Sequence, residues 1–266
     1  MPTLLPYILL TEEALSSEDA YEVVLCHVGV VNAAREAFIE VSELHPDAML
    51  AYWLDYYRSQ VETGGLALFA YNTRFDAALA EQVARGLGRL GLVDHVAVFN
   101  RARALMDRMD EATRTLVLSE VPSPGHGTAA PLAALDDALL EAIESDDLMY
   151  RVREFLVDHP DLVVHDADGV EAVLRSATGH IRDLDARKER AREREPEVVK
   201  QTRALCAIAA LNFQGFLGVE PHEIDGETVP AWHLMASGSR CILTTWEGCT
   251  VLINADDQAV LARMDA

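Results

Sequence analysis

Lysine is nearly absent from this chain: Lys188 and Lys200 stand beside 20 arginines, and acids outnumber bases 44 to 22. The resulting net charge of −22 excludes a surface built to hold nucleic-acid phosphates and favours basic partners instead. The arginine bias, with abundant alanine, points to a GC-rich bacterial host. Cysteine is also scarce. Cys26, Cys206, Cys241 and Cys249 show no Cys-x-x-Cys spacing, and they read as reduced, mostly buried thiols in a reducing compartment. No apolar run reaches the ~18 residues that a membrane span needs. The apolar patch Leu4 to Leu10 has no basic residue before it and Glu12-Glu13 directly after it, so no secretory signal and a cytoplasmic location are expected.

Catalytic motifs are missing as well. There is no Gly-x-Ser-x-Gly, kinase set or dinucleotide fingerprint. His222-Glu223 lacks the second histidine of a zinc-protease helix, and His159 and His165 read as loop residues beside acids. Gly125-His126-Gly127 has neither the spacing of a phosphate loop nor its following Lys-Ser/Thr. Asp166-Ala167-Asp168-Gly169 fails as a calcium loop, because placing Gly169 on the loop glycine puts Val164 and Arg175 at the end ligands. No metal or cofactor is expected, and the reading points away from an enzyme.

What remains is half hydrophobic and patterned for helices. Ser16-Ser17-Glu18-Asp19 reads as a helix start with a serine hydroxyl as cap and carboxylates in the first turn, and the stripe Val23, Val24, His27, Val28, Val31, Ala34, Phe38 and Val41 predicts continuation to about Leu44, with Gly29 able to bend or split it. His45-Pro46-Asp47 punctuates, and Asp47 is read as the next cap. Asp76 caps a helix that ends at Gly91, Asp94 starts another, and residues 113–120 read as helical. Residues 119–131, with three prolines and two glycines, read as a loop. Helices follow from Leu132 to Ile143 and, capped by Asp146 or Asp147, from Leu148 to Val157, ended by His159-Pro160-Asp161. Leu162-Val163-Val164 reads as a strand or a buried turn. Asp166 caps a helix predicted over 170–194, whose charge run from Arg182 reads as solvated. Another helix starts at Pro196, with Phe213 on its face.

The last residues change character. Segments 231–237, 240–246 and 249–254 predict a three-stranded antiparallel meander with turns at Gly238-Ser239 and Glu247-Gly248. That register sets Trp246 opposite Cys249, Thr244 opposite Val251, Ile242 opposite Ile253 and Cys241 opposite Asn254. A terminal helix is predicted over 258–264.

The most demanding stretch is 56–72. Trp53, Tyr56, Tyr57, Gln60 and Val61 form one helical face, Gly64-Gly65 breaks it, and Leu66, Phe69 and Ala70 restart it. A glycine here is expected at positive φ, so that two helices meet at a sharp corner. Gln60 and Asn72, amides among aromatics, are read as the lining of a small polar pocket. The pattern Gln60-Val61-x-x-Gly64-Gly65-Leu66-x-x-Phe69-x-x-Asn72 resembles the DNA mimic protein 19 family (domain of unknown function 4375), as does the later Leu135-Asp136-Asp137 element. It departs from that family at Thr63, Leu66 and Leu68, where Asn, Phe and Gln are usual. The resemblance covers roughly residues 45–160.

The fold class expected is mostly α: a multi-helix, bundle-like body with a small C-terminal three-stranded sheet, α+β overall. Residues 1–160 are read as a helical acidic domain and 161–266 as a helical extension plus the meander. Residues 1–150 hold 24 acids against nine arginines and no lysine. Glu36, Glu40 and Glu43, and likewise Asp137, Glu141 and Glu144, are spaced to form exposed acidic bands on helices. Charge and resemblance together imply an interaction protein that meets a basic DNA-binding protein, not nucleic acid or membrane. The alternative is a small-molecule binder or enzyme with a pocket at the Gly64-Gly65 corner.

Overall fold

A computed structural model describes residues 3–119, 129–224, 226–246 and 248–265. Of the turns and loops expected from sequence, the segment 120–128 and Glu247 lie outside the described residues, and Gly125-His126-Gly127 with them. The chain divides into two compact units, Met1–Leu184 and Asp185–Ala266. The division falls after 160 because a strand late in the first unit pairs with one near the N-terminus.

That pair is β1 (Ile8–Thr11) and β2 (Leu162–His165), parallel, with Ile8 opposite Leu162 and Thr11 opposite His165. Side chains alternate across a strand. Ile8 and Leu10 accordingly enter one core and Leu9 enters another. A strand buried on both faces reads as a continuous apolar run, which is how Leu4 to Leu10 looks in sequence.

Helices make the rest of this unit. α1 (Glu12–Leu15) is capped by Thr11, and α2 (Ala20–Glu36) by Asp19, whose carboxylate accepts from the Tyr21 N–H at 2.8 Å. α2 runs straight through Gly29 but stops at Glu36, well short of Leu44. Phe38 turns to φ 67°, and residues Val41–Glu43 form a 3₁₀ turn. The reason is burial: Ile39 and Leu44 are driven into the second core, which a continued helix could not bring about.

α3 (Pro46–Thr73) is capped by His45 rather than Asp47. α4 (Ala77–Arg89) is capped by Asp76, and Gly91 follows at φ 72°. α5 (Val93–Arg108) begins after Leu92, so Asp94 lies in its first turn instead of capping it. α6 (Glu111–Ser119), α7 (Ala130–Ala133), α8 (Asp136–Ser145) and α9 (Leu148–Val157) complete the body. The helix expected over 132–143 is thus two, broken so that Leu132, Leu135 and Leu139 all reach the main core. α10 (Ala167–Gly179) is capped by Asp166, which accepts from the Gly169 N–H. It ends at Gly179, and α11 (Leu184–Arg194) follows separately and, but for Leu184, belongs to the second unit.

In the second unit, α12 (Glu197–Ile208) is followed by five antiparallel strands in sequence order: β3 (Phe213–Ile224), β4 (Glu227–Ala236), β5 (Ser239–Trp246), β6 (Cys249–Asn254) and β7 (Val260–Asp265). The sheet therefore has two strands more than expected. Phe213 belongs to β3, not to a helix, and the predicted terminal helix is β7. The middle register is as read from sequence, including Cys241 opposite Asn254. The first turn is Ser237-Gly238, one residue earlier than expected, with φ of 48° and 81°. Edge pairing explains both extra strands: an unpaired β6 would leave its N–H and C=O groups without partners, and β7 takes them. Leu205 and Cys206 of α12 pack with Leu234, Leu243 and Leu252 on one sheet face. Among the described residues all four cysteines are free.

Candidate functional site

Inside α3 the helix is interrupted at the glycine pair. Gly64 has φ −159° and ψ 26°, and Gly65 has φ 68° and ψ −169°. Only Gly65 sits where a Cβ is disfavoured. It also has no space for one: a Cβ built there would lie 2.6 Å from Asp136 Oδ1 and 2.8 Å from Oδ2. The Asp136 carboxylate, from the first turn of α8, lies against the glycine break beside the Leu66 N–H, and its Oδ1 is buried without a hydrogen-bond partner among the described residues. Burial raises the Asp136 pKa, and the Asp137 charge adds to the rise, against the pull of the Leu66 N–H. The two sequence elements that carried the family resemblance therefore touch, and the absent side chain of Gly65 is what admits the carboxylate.

The aromatic residues of the corner are core. Phe69 and Tyr57 are fully buried, their rings 5.6 Å apart and each within 6 Å of Phe99. Gln60 and Asn72 bridge the break: the Asn72 amide donates to Gln60 Oε1 at 2.5 Å. The two amides expected to line a pocket are instead engaged with each other near the surface.

The acidic residues separate into two groups. Asp137, Glu141 and Glu144 all lie exposed on α8, opposite the buried Leu139 and Ala142. Glu36, Glu40 and Glu43 form no band. Glu36 ends α2, Glu40 precedes the 3₁₀ turn, and Glu43 is 3% exposed. Glu43 Oε2 reaches back to accept the Glu40 N–H at 2.9 Å, a capping box.

A second constellation escaped the sequence reading, although its signal was there as a repeated tripeptide, His-Pro-Asp at 45–47 and at 159–161. The two copies meet. His45 Nδ1 accepts from the Asp47 N–H and His159 Nδ1 from the Asp161 N–H, both at 3.1 Å. His159 Nε2 then lies 2.9 Å from Asp47 Oδ2, and His45 Nε2 3.5 Å from Asp161 Oδ2. Since each Nδ1 faces a donor, each Nε2 carries the proton and points it at the other copy's carboxylate. Burial would raise the Asp47 carboxyl, but hydrogen bonds from His159 and Arg89 outweigh it and hold the group below its ordinary range. His159 lies in the loop between α9 and β2, as expected, but it is buried there and not at the surface.

Ligating atoms of His45, His159 and Asp161 come within 4.8 Å of one another. They do not suit a metal as arranged. An imidazole that ligates through Nε2 carries its proton on Nδ1, and here both Nδ1 atoms already face backbone N–H groups. The constellation is a clasp between the start of α3 and the approach to β2.

The first unit is thus a helical domain organised on a glycine-broken central helix, with a carboxylate band on one of its short helices. Residues 42–159 match the family model described as DMP19-like protein, and that span is similar to the family. No curated protein and no solved structure gives a match. No helix among the described residues is long and apolar enough to cross a membrane.

Proposed function

We propose that the exposed face of α8 binds a basic protein that otherwise binds DNA. The observation that carries this reading is the unbroken acidic band exposed on α8. At a rise of ~1.5 Å per residue, Asp137, Glu141 and Glu144 follow one another at ~6 and ~4.5 Å along the helix axis. That is a line of negative charge somewhat sparser than the one phosphate per ~3.4 Å along a single strand of duplex. All three are exposed, on a helix within the family-matched segment. Fixed carboxylates in a band of one sign attract the arginines and lysines of a DNA-binding groove, the groups that phosphates attract.

The test is competition. Basic DNA-binding proteins captured from native extract should be displaced by duplex DNA, and capture should fall steeply as salt shortens the screening length. The combined Asp137→Lys, Glu141→Lys and Glu144→Lys variant should lose capture while melting at an unchanged temperature. Partners that survive high salt, or that bind the triple variant equally well, reject the reading.

A further inference from the structure

A cavity of about 450 Å³ opens between the 3₁₀ turn Val41–Glu43, the start of α3 and one side of α4. Its walls are mostly carbon: Val41, Leu44, Pro46, Met49, Trp53 and Leu79. Leu44 and Met49 are buried and belong to the second core, so packing fixes that part of the wall. The Trp53 ring is held edge-on by Tyr52 and Tyr56, at 5.1 and 6.0 Å between centroids. Val41 lines the cavity while 45% exposed. A pre-formed apolar recess of this size with a few polar groups is the common form of a small-molecule site.

The polar groups come from α4, which presents Leu79, Gln82 and Arg85 to the cavity at three-residue steps along one side. The Arg85 guanidinium donates to the Gln82 side-chain oxygen and has no carboxylate partner among the described residues. Its neighbours differ: Glu81 is paired with Arg103, and Arg89 with Asp47. In a chain with 44 acids, this arginine stands beside an apolar recess without a counter-ion.

We propose that the cavity binds a hydrocarbon carboxylate, its chain along the carbon wall and its head on Arg85. The site is separate from α8 and does not depend on the partner reading.

Charge and hydrogen bonding select this class. With its oxygen engaged, Gln82 keeps two N–H donors for a ligand, and Arg85 has further N–H groups to give. The polar end therefore offers donors and a positive charge, and a carboxylate supplies the matching acceptors. Asp76, the other charged residue of the wall, is occupied as the cap of α4, accepting the Leu79 N–H at 2.9 Å. It stands ~13.5 Å from Arg85 along the helix axis, farther than the ~8 Å screening length at physiological salt.

The wall also argues for a hydrocarbon chain over a peptide. Apart from the α4 groups, its side chains offer only the Ser42 hydroxyl and the Trp53 indole N–H. A bound peptide would bring an N–H and a C=O at each residue, and burying these without partners is costly.

The experiment titrates the intact protein with decanoate, below its micelle concentration, and follows the indole N–H resonances of the three tryptophans. The Trp53 signal is the one missing from the Trp53→Phe spectrum. It should shift to saturation with decanoate while those of Trp232 and Trp246 stay still. Decanol, which has the chain without the charge, should bind roughly tenfold more weakly, the loss expected of a charged hydrogen bond. Acetate, the head alone, should leave all three signals unmoved. Arg85 is exposed, so Arg85→Gln should melt at an unchanged temperature, bind decanoate roughly tenfold more weakly and bind decanol as before. An unmoved Trp53, equal affinity for decanol and decanoate, or full affinity for decanoate in Arg85→Gln overturns the site. A short peptide ending in leucine that matches decanoate also overturns it, in favour of a partner protein's C-terminus.

Discussion

Glu36, Glu40 and Glu43 have the same spacing as Asp137, Glu141 and Glu144, yet the two sets end in opposite roles. On α8 the backbone stays helical from Asp136 to Ser145, so positions four and seven apart share a face and all three acids meet solvent. At the end of α2 the helix stops after Glu36, Phe38 takes φ 67°, and the third acid turns inward. Glu43 closes a capping box, and its carbonyl accepts the N–H groups of Leu4 and Leu5. One set is a surface that a partner could read. The other is a joint that holds the N-terminal segment. Periodicity makes a face only while the backbone keeps the period, and at residue 38 the burial of Ile39 and Leu44 outweighs it.

The largest expected effect tests that contrast directly. Glu43→Lys places an opposite charge in a nearly sealed site and removes the cap, and should cost roughly 3 kcal/mol or more. Glu141→Lys should stay within about 0.5 kcal/mol. Urea midpoints compare the two, and equal losses would erase the distinction.

The next effect concerns the joint that α8 itself makes. Gly65→Val forces a β-branched residue to positive φ and against Asp136, so a loss of about 1–3 kcal/mol is expected. Gly64→Val should cost less, since its φ is negative and the nearest atoms a Cβ would meet belong to the Leu68 side chain, not to a buried carboxylate. Identical melting temperatures for the two variants would remove the special role of Gly65.

A smaller, graded effect lies in α2. His27 is fully buried, its Nε2–H donates to the Ala48 carbonyl at 2.9 Å, and burial pushes its pKa down to about 4, against a smaller opposing pull from that hydrogen bond. Between about 4 and 6.5 the unfolded chain binds this proton and the folded one does not. Stability should therefore fall as pH drops through that window, by at most ~1.4 kcal/mol per pH unit from this group. His27→Gln should flatten the slope in pH-dependent urea melts. An unchanged slope would mean that another group is responsible.

The smallest effect on folding is expected from the band. Glu144→Gln alone should move the melting temperature by no more than any ordinary surface change, a few tenths of a kcal/mol. A large loss there would show that α8 is held by its acids and is not free to present them.

Sequence alone determined the features that close within a few residues. Asp76, Asp147 and Asp166 cap their helices through bonds to N–H groups three residues on. The β5–β6 register follows from alternation, and the glycine corner from the left-handed backbone that only Gly65 accepts cheaply. Tertiary structure decided the rest. The two His-Pro-Asp copies were visible, but not that they would interlock across 112 residues. Leu135-Asp136 was visible, but not that its carboxylate would lie against Gly65. β3 and β7 looked helical because a short apolar stretch suits either period, and only an open sheet edge beside it settles which. Nothing in the sequence marked out His95, whose buried Nε2 has no hydrogen-bond partner among the described residues. Its orphaned nitrogen exists because helices distant in sequence close around it, and no local pattern encodes where they meet.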